Sequence, residues 1–233
     1  TGSDKCVAME NPTYRQAFKV LCSLGHPVVP VEMDKSGLSV DRLEKSGADI
    51  AYVMPSHQYP TGIVMPVKRR QELLSWACKK EGRYLIEDDY DSEFRYKGKP
   101  IPALQGMDGR ERVIYSGTFS KSVAPAIRVS YLVLPKPLLA VYRERVNFYT
   151  STVSRIDQNI LYQFMMGGYY ERHLNRMRAV YKAKHDTLIG ALKPFEKQFT
   201  IKGEYAGLHL LLTDKKNRTE EWLGEAAKQA GGK

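Results

Sequence analysis

The chain has 233 residues, 36 Lys+Arg against 26 Asp+Glu for a formal charge of +10, and 42% hydrophobic residues. That composition is globular and argues against disorder or collagen-like repeats, and no apolar run approaches the roughly 20 residues that span a bilayer. The polar opening Thr1-Gly2-Ser3-Asp4 is unlike a signal peptide and lacks an initiator Met, so a piece of a longer protein is expected, holding one large domain or a domain plus part of another.

In chain order, Cys6–Met9 reads as a short strand, and a helix runs from the Asn11-Pro-Thr-Tyr14 segment to Gly25, where Gly and the following Pro27 favour a stop. Val28–Met33 is β-branched and reads as a strand, followed by a short helix over Leu38–Lys45. Asp49–Met54 is a strand ending in the loop Pro55–Gly62, and Pro66 opens a helix over Val67–Glu81. Tyr84–Ile86 is an apolar strand that meets Glu87-Asp88-Asp89-Tyr90. Arg112–Tyr115 and Arg128–Leu134 are further strands, separated by Ser116-Gly-Thr-Phe-Ser-Lys121. Beyond Pro137 the pattern turns helical, with amphipathic segments over Pro137–Phe148 and Ser154–Leu192. Strands at Phe199–Ile201 and Gly207–Leu212 and a helix over Thr219–Ala230 read as the start of a second, smaller domain with too few elements to close its own core.

Strands alternating with helices predict an α/β fold with a largely parallel sheet, helices on both faces, and ligands at the carboxyl ends of the strands. Cys6, Cys22 and Cys78 form no CxxC pair or Cys/His cluster, so a structural zinc site is not expected. Cys22 and Cys78 read as buried small hydrophobes, and the compartment as a reducing cytosol. The positive charge is dispersed. Its densest run, Arg172, Arg176, Arg178, Lys182 and Lys184, interleaves with Leu174, Met177, Tyr181 and Leu188 at helical spacing and reads as a solvated helix face rather than a nucleic-acid stripe.

Chemistry-bearing residues follow the strands: Asp88 and Tyr90 after one, Thr118, Ser120 and Lys121 after another, Arg128 at the opening of a third, and the Ser56–Gly62 loop after a fourth. They are either polar groups on separate βα loops or one cleft. In one cleft, Lys121 is a candidate for imine formation, which requires a free amine and hence burial or a nearby cation such as Arg128. A metal site at Asp88 and its acidic neighbours is not expected without a His at ligand spacing. The Thr118-Phe-Ser-Lys121 echo of Ser-x-x-Lys enzymes lacks the partner motifs of that class.

Three segments together, Ser116-Gly-Thr-Phe-Ser-Lys-Ser-Val-Ala-Pro-Ala-Ile-Arg128, Ile86-Glu-Asp-Asp-Tyr-Asp-Ser-Glu-Phe-Arg-Tyr96 and Pro55-Ser-His-Gln-Tyr-Pro-Thr-Gly62, resemble the fold type I pyridoxal-phosphate (PLP) aminotransferase superfamily. More narrowly, the chain resembles the aminotransferase-like domain of MocR/GabR-type bacterial transcription regulators. The resemblance implies a PLP-dependent transferase large domain over residues 1–150 without its N-terminal part, connecting helices over 151–192 and a partial small α+β domain over 193–233.

It further implies that Lys121 is the Schiff-base lysine, that Asp88 faces the pyridine nitrogen and keeps it protonated, and that Tyr90 bonds the ring's phenolic oxygen. Arg128, Thr118 and Ser120 would take the phosphate, Tyr14 would lie on the ring face, and His57 and Gln58 near the ring edge.

Three departures from the family pattern bear on this. Tyr59-Pro60-Thr61-Gly62 replaces the familiar Asn-Pro-x-Gly, and the sequence holds neither the family's Gly-rich phosphate loop nor the small-domain arginine that clamps a substrate carboxylate. The implied function is a cytoplasmic, homodimeric effector domain sensing an amine or amino acid, with DNA contacted only through a winged-helix domain outside these residues and no membrane partner. The alternative is a PLP-dependent amino-acid aminotransferase, in which Lys121 would also shuttle the proton. A third reading is a scaffold or dimerisation fragment without cofactor.

Overall fold

The structure, a computed structural model, describes residues 4–231. β1 (Val7–Asn11) leads through α1 (Arg15–Ser23) to β2 (Val28–Asp34), β3 (Gly37–Leu38), α2 (Val40–Lys45) and β4 (Ile50–Val53). α3 (Val67–Cys78), β5 (Tyr84–Asp89), α4 (Leu104–Met107), β6 (Val113–Thr118), α5 (Phe119–Ser122) and β7 (Ser130–Val133) follow. α6 (Lys136–Arg145), α7 (Arg155–Met166) and α8 (Tyr169–Leu192) precede β8 (Phe199–Lys202), β9 (Leu211–Asp214) and α9 (Glu220–Gln229).

Seven strands form one sheet in the order β3-β2-β1-β4-β5-β6-β7, and β8 pairs with β9 separately. The pairs from β2 through β1, β4 and β5 to β6 are parallel, while β3 and β7 join the two edges antiparallel. The expected α/β architecture with a mostly parallel sheet is therefore present.

Side chains alternate across a strand, so the sheet has two chemically distinct faces. One carries Ala8, Ala51, Val53, Leu85 and Val113 against Leu73, Trp76 and Ala77 of α3. Trp76 is fully buried under the Arg83 guanidinium, 4.6 Å from its ring centroid. The other face carries Val7, Met9, Ile50, Tyr52 and Met54, with Ala17 and Leu21 of α1 and Ile86 and Tyr90 packed against them.

Several expectations are corrected. Leu38 pairs antiparallel with Met33 instead of opening a helix, which begins at Val40. The expected 154–192 helix is two helices, because Gly168 takes φ 68° and breaks the ladder after Met166. The strand expected at Gly207 starts at Leu211, and the intervening residues dock elsewhere. The expected strand at Tyr84–Ile86 extends to Asp89, and the short α4 was not foreseen. Cys22 and Cys78 are exposed, not buried: no residue of α1 is fully buried, and Cys78, the last residue of α3, lies off the face formed by the buried Leu73, Trp76 and Ala77.

Candidate active site

The parallel strands β4, β5 and β6 all deliver their carboxyl ends to one edge of the sheet. Antiparallel β7 begins at that same edge, opposite the end of β6, where Thr118 pairs with Ser130. A cavity of about 420 Å³ opens there, on the α1 side of the sheet. Asp88, Tyr90, Thr118, Ser120, Lys121 and Arg128 all line it. Tyr14, Met54, Tyr59 and Ser130 complete the wall. Seven of the nine residues singled out in the sequence thus share one cleft: Lys121, Asp88, Tyr90, Arg128, Thr118, Ser120 and Tyr14.

The anion-binding side is built by a self-closing loop. The Thr118 hydroxyl caps α5 by accepting from the Ser120 N–H at 3.1 Å and donates to the Val129 carbonyl at 3.3 Å. The Phe119 N–H donates to that same carbonyl at 2.9 Å. Arg128 occupies the left-handed region at φ 48°, ψ 37°, an uncommon conformation for a side-chain-bearing residue, and its guanidinium lies 3.5 Å from the Ser120 hydroxyl. Backbone held off its preferred basin is a mark of functional positioning.

The acidic side lies at the end of β5. Alternation places Asp88 on the cavity face with Ile86, and Glu87 and Asp89 on the α3 face. The Tyr52 hydroxyl donates to Asp88. Burial pushes the Asp88 carboxyl above its ordinary value, with Tyr52 opposing and the nearby acids Asp89 and Asp91 adding to the rise. Next to it lies Glu10, at the end of β1 and 1% exposed, whose Oε2 accepts from the Met54 N–H at 3.3 Å while Oε1 has no partner. Burial pushes Glu10 up to about 8. A buried carboxyl of that kind is neutral at pH 7. Sequence reasoning passed over both Glu10 and Tyr52.

His57 and Gln58, expected near the ring edge, do not line the cavity. His57 is the deeper correction. It is 1% exposed and sits behind Tyr90, with Nδ1 2.9 Å from Asp91 Oδ2. The Tyr90 hydroxyl donates to the His57 carbonyl at 2.8 Å. Gln58 is also buried and ties the loop together, donating to the Pro12 and Tyr59 carbonyls, each at 2.8 Å. Tyr59 stands in the wall instead, its ring edge-on to Tyr14 at 5.9 Å.

The 203–209 segment closes over His57. Gly207 has φ +77°, and a Cβ there would fall 1.7 Å from His57 Nδ1. Gly62 and Gly203 approach so closely that a Cβ on Gly62 would lie 2.6 Å from the Gly203 Cα. His209 packs on the His57 ring at 4.4 Å between centroids, with Nε2 3.2 Å from the Pro60 carbonyl. Burial, then His57, depress the His209 imidazole below its ordinary value.

The donor set fits a phosphate-bearing aldehyde with a basic ring: a guanidinium and two hydroxyls for the anion, an amine for the carbonyl, and a buried carboxylate for a ring cation. The family model "Aminotransferase class I and II" matches residues 2–226. Among curated proteins, the chain is 40% identical over 226 residues to the uncharacterized HTH-type transcriptional regulator YdeL of Bacillus subtilis, covering 97% of this chain and 49% of that one. It is 33% identical over 224 residues to the probable rhizopine catabolism regulatory protein MocR of Rhizobium meliloti, covering 96% and 45%. Among solved structures, kynurenine aminotransferase of Pyrococcus horikoshii, crystallised with PMP, superimposes with a TM-score of 0.86 at 26% identity, covering 98% of this chain and 59% of that one. The chain spans about half the length of the curated relatives it matches.

Proposed function

This chain belongs to the class I and II aminotransferase family, and from that membership we propose that it is the PLP-binding, amine- or amino-acid-sensing domain of a MocR-type bacterial transcription regulator. The observation that carries this reading is the convergence of Lys121, Asp88 and Arg128 on one cavity at the carboxyl edge of the sheet. When bound, the cofactor supplies an electrophilic carbon and an electron-withdrawing ring.

In this proposal the Lys121 Nζ would hold the cofactor, whose electrophilic carbon would supply the exchange with an incoming amine. Arg128, Thr118 and Ser120 hold the phosphate, the guanidinium by its planar fork. Asp88, kept in place by Tyr52, faces the protonated ring nitrogen, and the cationic partner draws its raised carboxyl back toward the ionised form. Tyr90 faces the phenolic oxygen and takes its orientation from His57, which acts from behind it. Tyr14 and Tyr59 confine the ring face.

Residues 1–150 then form most of the cofactor-binding domain, 151–192 the connecting helices and 193–233 part of the small domain. The regulator works as a cytoplasmic homodimer and contacts DNA through a separate helix-turn-helix domain. Amine exchange shifts a conformational equilibrium without turnover.

The test is spectroscopic. The whole chain mixed with PLP is expected to develop an absorbance band at the visible edge that shifts on adding an amine panel, with no pyridoxamine phosphate formed from the amine alone and no amino group passed on to an added 2-oxo acid. Steady transfer of the amino group to the 2-oxo acid would favour the aminotransferase reading, to which the likeness to kynurenine aminotransferase gives weight.

A further inference from the structure

The sheet has a second cavity, of about 550 Å³, and it lies on the other face of β5. Alternation along the strand sends Asp88 into the first cavity and Asp89 into the second. The volume is that of a metabolite-sized ligand site.

The polar groups of this cavity divide into spent and free. Asp89 is largely engaged: Oδ1 takes the Ser92 N–H at 3.2 Å, and Oδ2 takes the Ser92 hydroxyl and the Tyr115 hydroxyl, each at 2.7 Å. Arg70 is also engaged, donating to the Met65, Pro102 and Pro55 carbonyls with Glu87 at 3.8 Å. Arg95 is different. It forms no side-chain hydrogen bond or ion pair among the described residues, and its Nε is buried without a partner. Arg178, reaching in from α8, donates Nε to the Glu93 carbonyl at 2.9 Å and Nη1 to Asn175 at 3.0 Å, and has no carboxylate within ion-pair reach among the described residues. The remaining carboxyl, Glu93, makes no ion pair with either guanidinium among the described residues, and burial pushes it up to about 7, with Asp89 and Asp91 adding and Arg178 opposing. The unmet demand in the cavity is therefore for acceptors and negative charge. Ile101 and Ala206 supply an apolar wall.

We propose that this second cavity binds a small organic carboxylate, held by Arg95 and Arg178. The inference does not depend on cofactor binding in the first cavity, and its test reads the two cavities separately.

The probe is malonate, titrated calorimetrically into the whole chain and followed in parallel by amide chemical shifts. Saturable binding is expected, with shifts at Ser92, Tyr115 and Ala206 that follow a binding curve of their own, separate from any at Thr118, Ser120 and Lys121. Arg95→Gln and Arg178→Gln are each expected to weaken the binding read at Ser92, Tyr115 and Ala206 about tenfold, the scale of one charge-assisted hydrogen bond, while Arg128→Gln leaves those three shifts unchanged. The chemical-shift map of the unsubstituted chain decides the matter if a variant fails to fold. Absence of saturable binding at millimolar malonate overturns the proposal, as does binding that Arg128→Gln abolishes and Arg95→Gln spares.

Discussion

Glu10→Gln isolates the most heavily desolvated carboxyl beside the candidate site. Glu10 is 1% exposed, keeps one hydrogen bond from the Met54 N–H and leaves Oε1 without a partner. Its carboxyl titrates at about 8 against 4.5 in the open chain. The folded state therefore holds this proton where the unfolded state has released it. The stability contributed is fully present below about 4.5 and is lost as the pH rises through about 8. At about 1.4 kcal/mol for each pH unit of displacement, the loss is on the order of 5 kcal/mol. Glutamine keeps a carbonyl oxygen for Met54 and cannot ionise. Urea unfolding from pH 5 to 9 is the assay. The wild-type chain is expected to lose several kcal/mol across that range beyond whatever the variant loses, and the curves should cross so that Glu10→Gln is the more stable protein at pH 9. Parallel curves would refute the reasoning, since Glu93 and other groups titrate alike in both chains.

Other perturbations have equally definite outcomes. Tyr52→Phe removes the hydroxyl that donates to Asp88 and should raise the Asp88 carboxyl by a further one to two pH units, roughly the worth of a hydrogen bond to a charged group, as read by carbon-detected NMR titration. Gly207→Ala places a methyl 1.7 Å from His57 Nδ1 in a left-handed backbone, so the 203–209 segment must lift off; hydrogen exchange at Leu208 should accelerate while that of β5 does not. Leu85→Ala opens a void in the fully buried α3 face of the sheet and should cost about 2–5 kcal/mol by urea unfolding, with the cofactor band still forming.

The central strands were legible because their apolar and β-branched runs are bounded by Pro, Gly and acidic segments, and the site was legible because polar residues follow the strands. Period-two alternation shows why Asp88, not Asp89, enters the first cavity. What the sequence concealed has physical causes. Gly167-Gly168 sits inside a continuous helical pattern, and only the left-handed φ of Gly168 breaks it. Glu10 and Tyr52 look like ordinary strand residues; their importance comes from burial, from the Met54 N–H that Glu10 accepts and from the Asp88 carboxyl to which Tyr52 donates. His57 reads as a ring-edge residue, but the turn of its loop carries it behind Tyr90, where Asp91, Gly207 and His209 enclose it, and no local signal announces a contact made across 150 residues of chain separation. Exposure of Cys22 and Cys78 follows from which face each helix presents, which apolar neighbours in sequence do not decide.

The most direct measurement of the central claim is peptide mapping after borohydride reduction of the PLP-treated chain. The account predicts a single phosphopyridoxyl label on Lys121, lost in Lys121→Ala and diminished in Arg128→Gln. A label distributed over the surface lysines, or none at all, would contradict it.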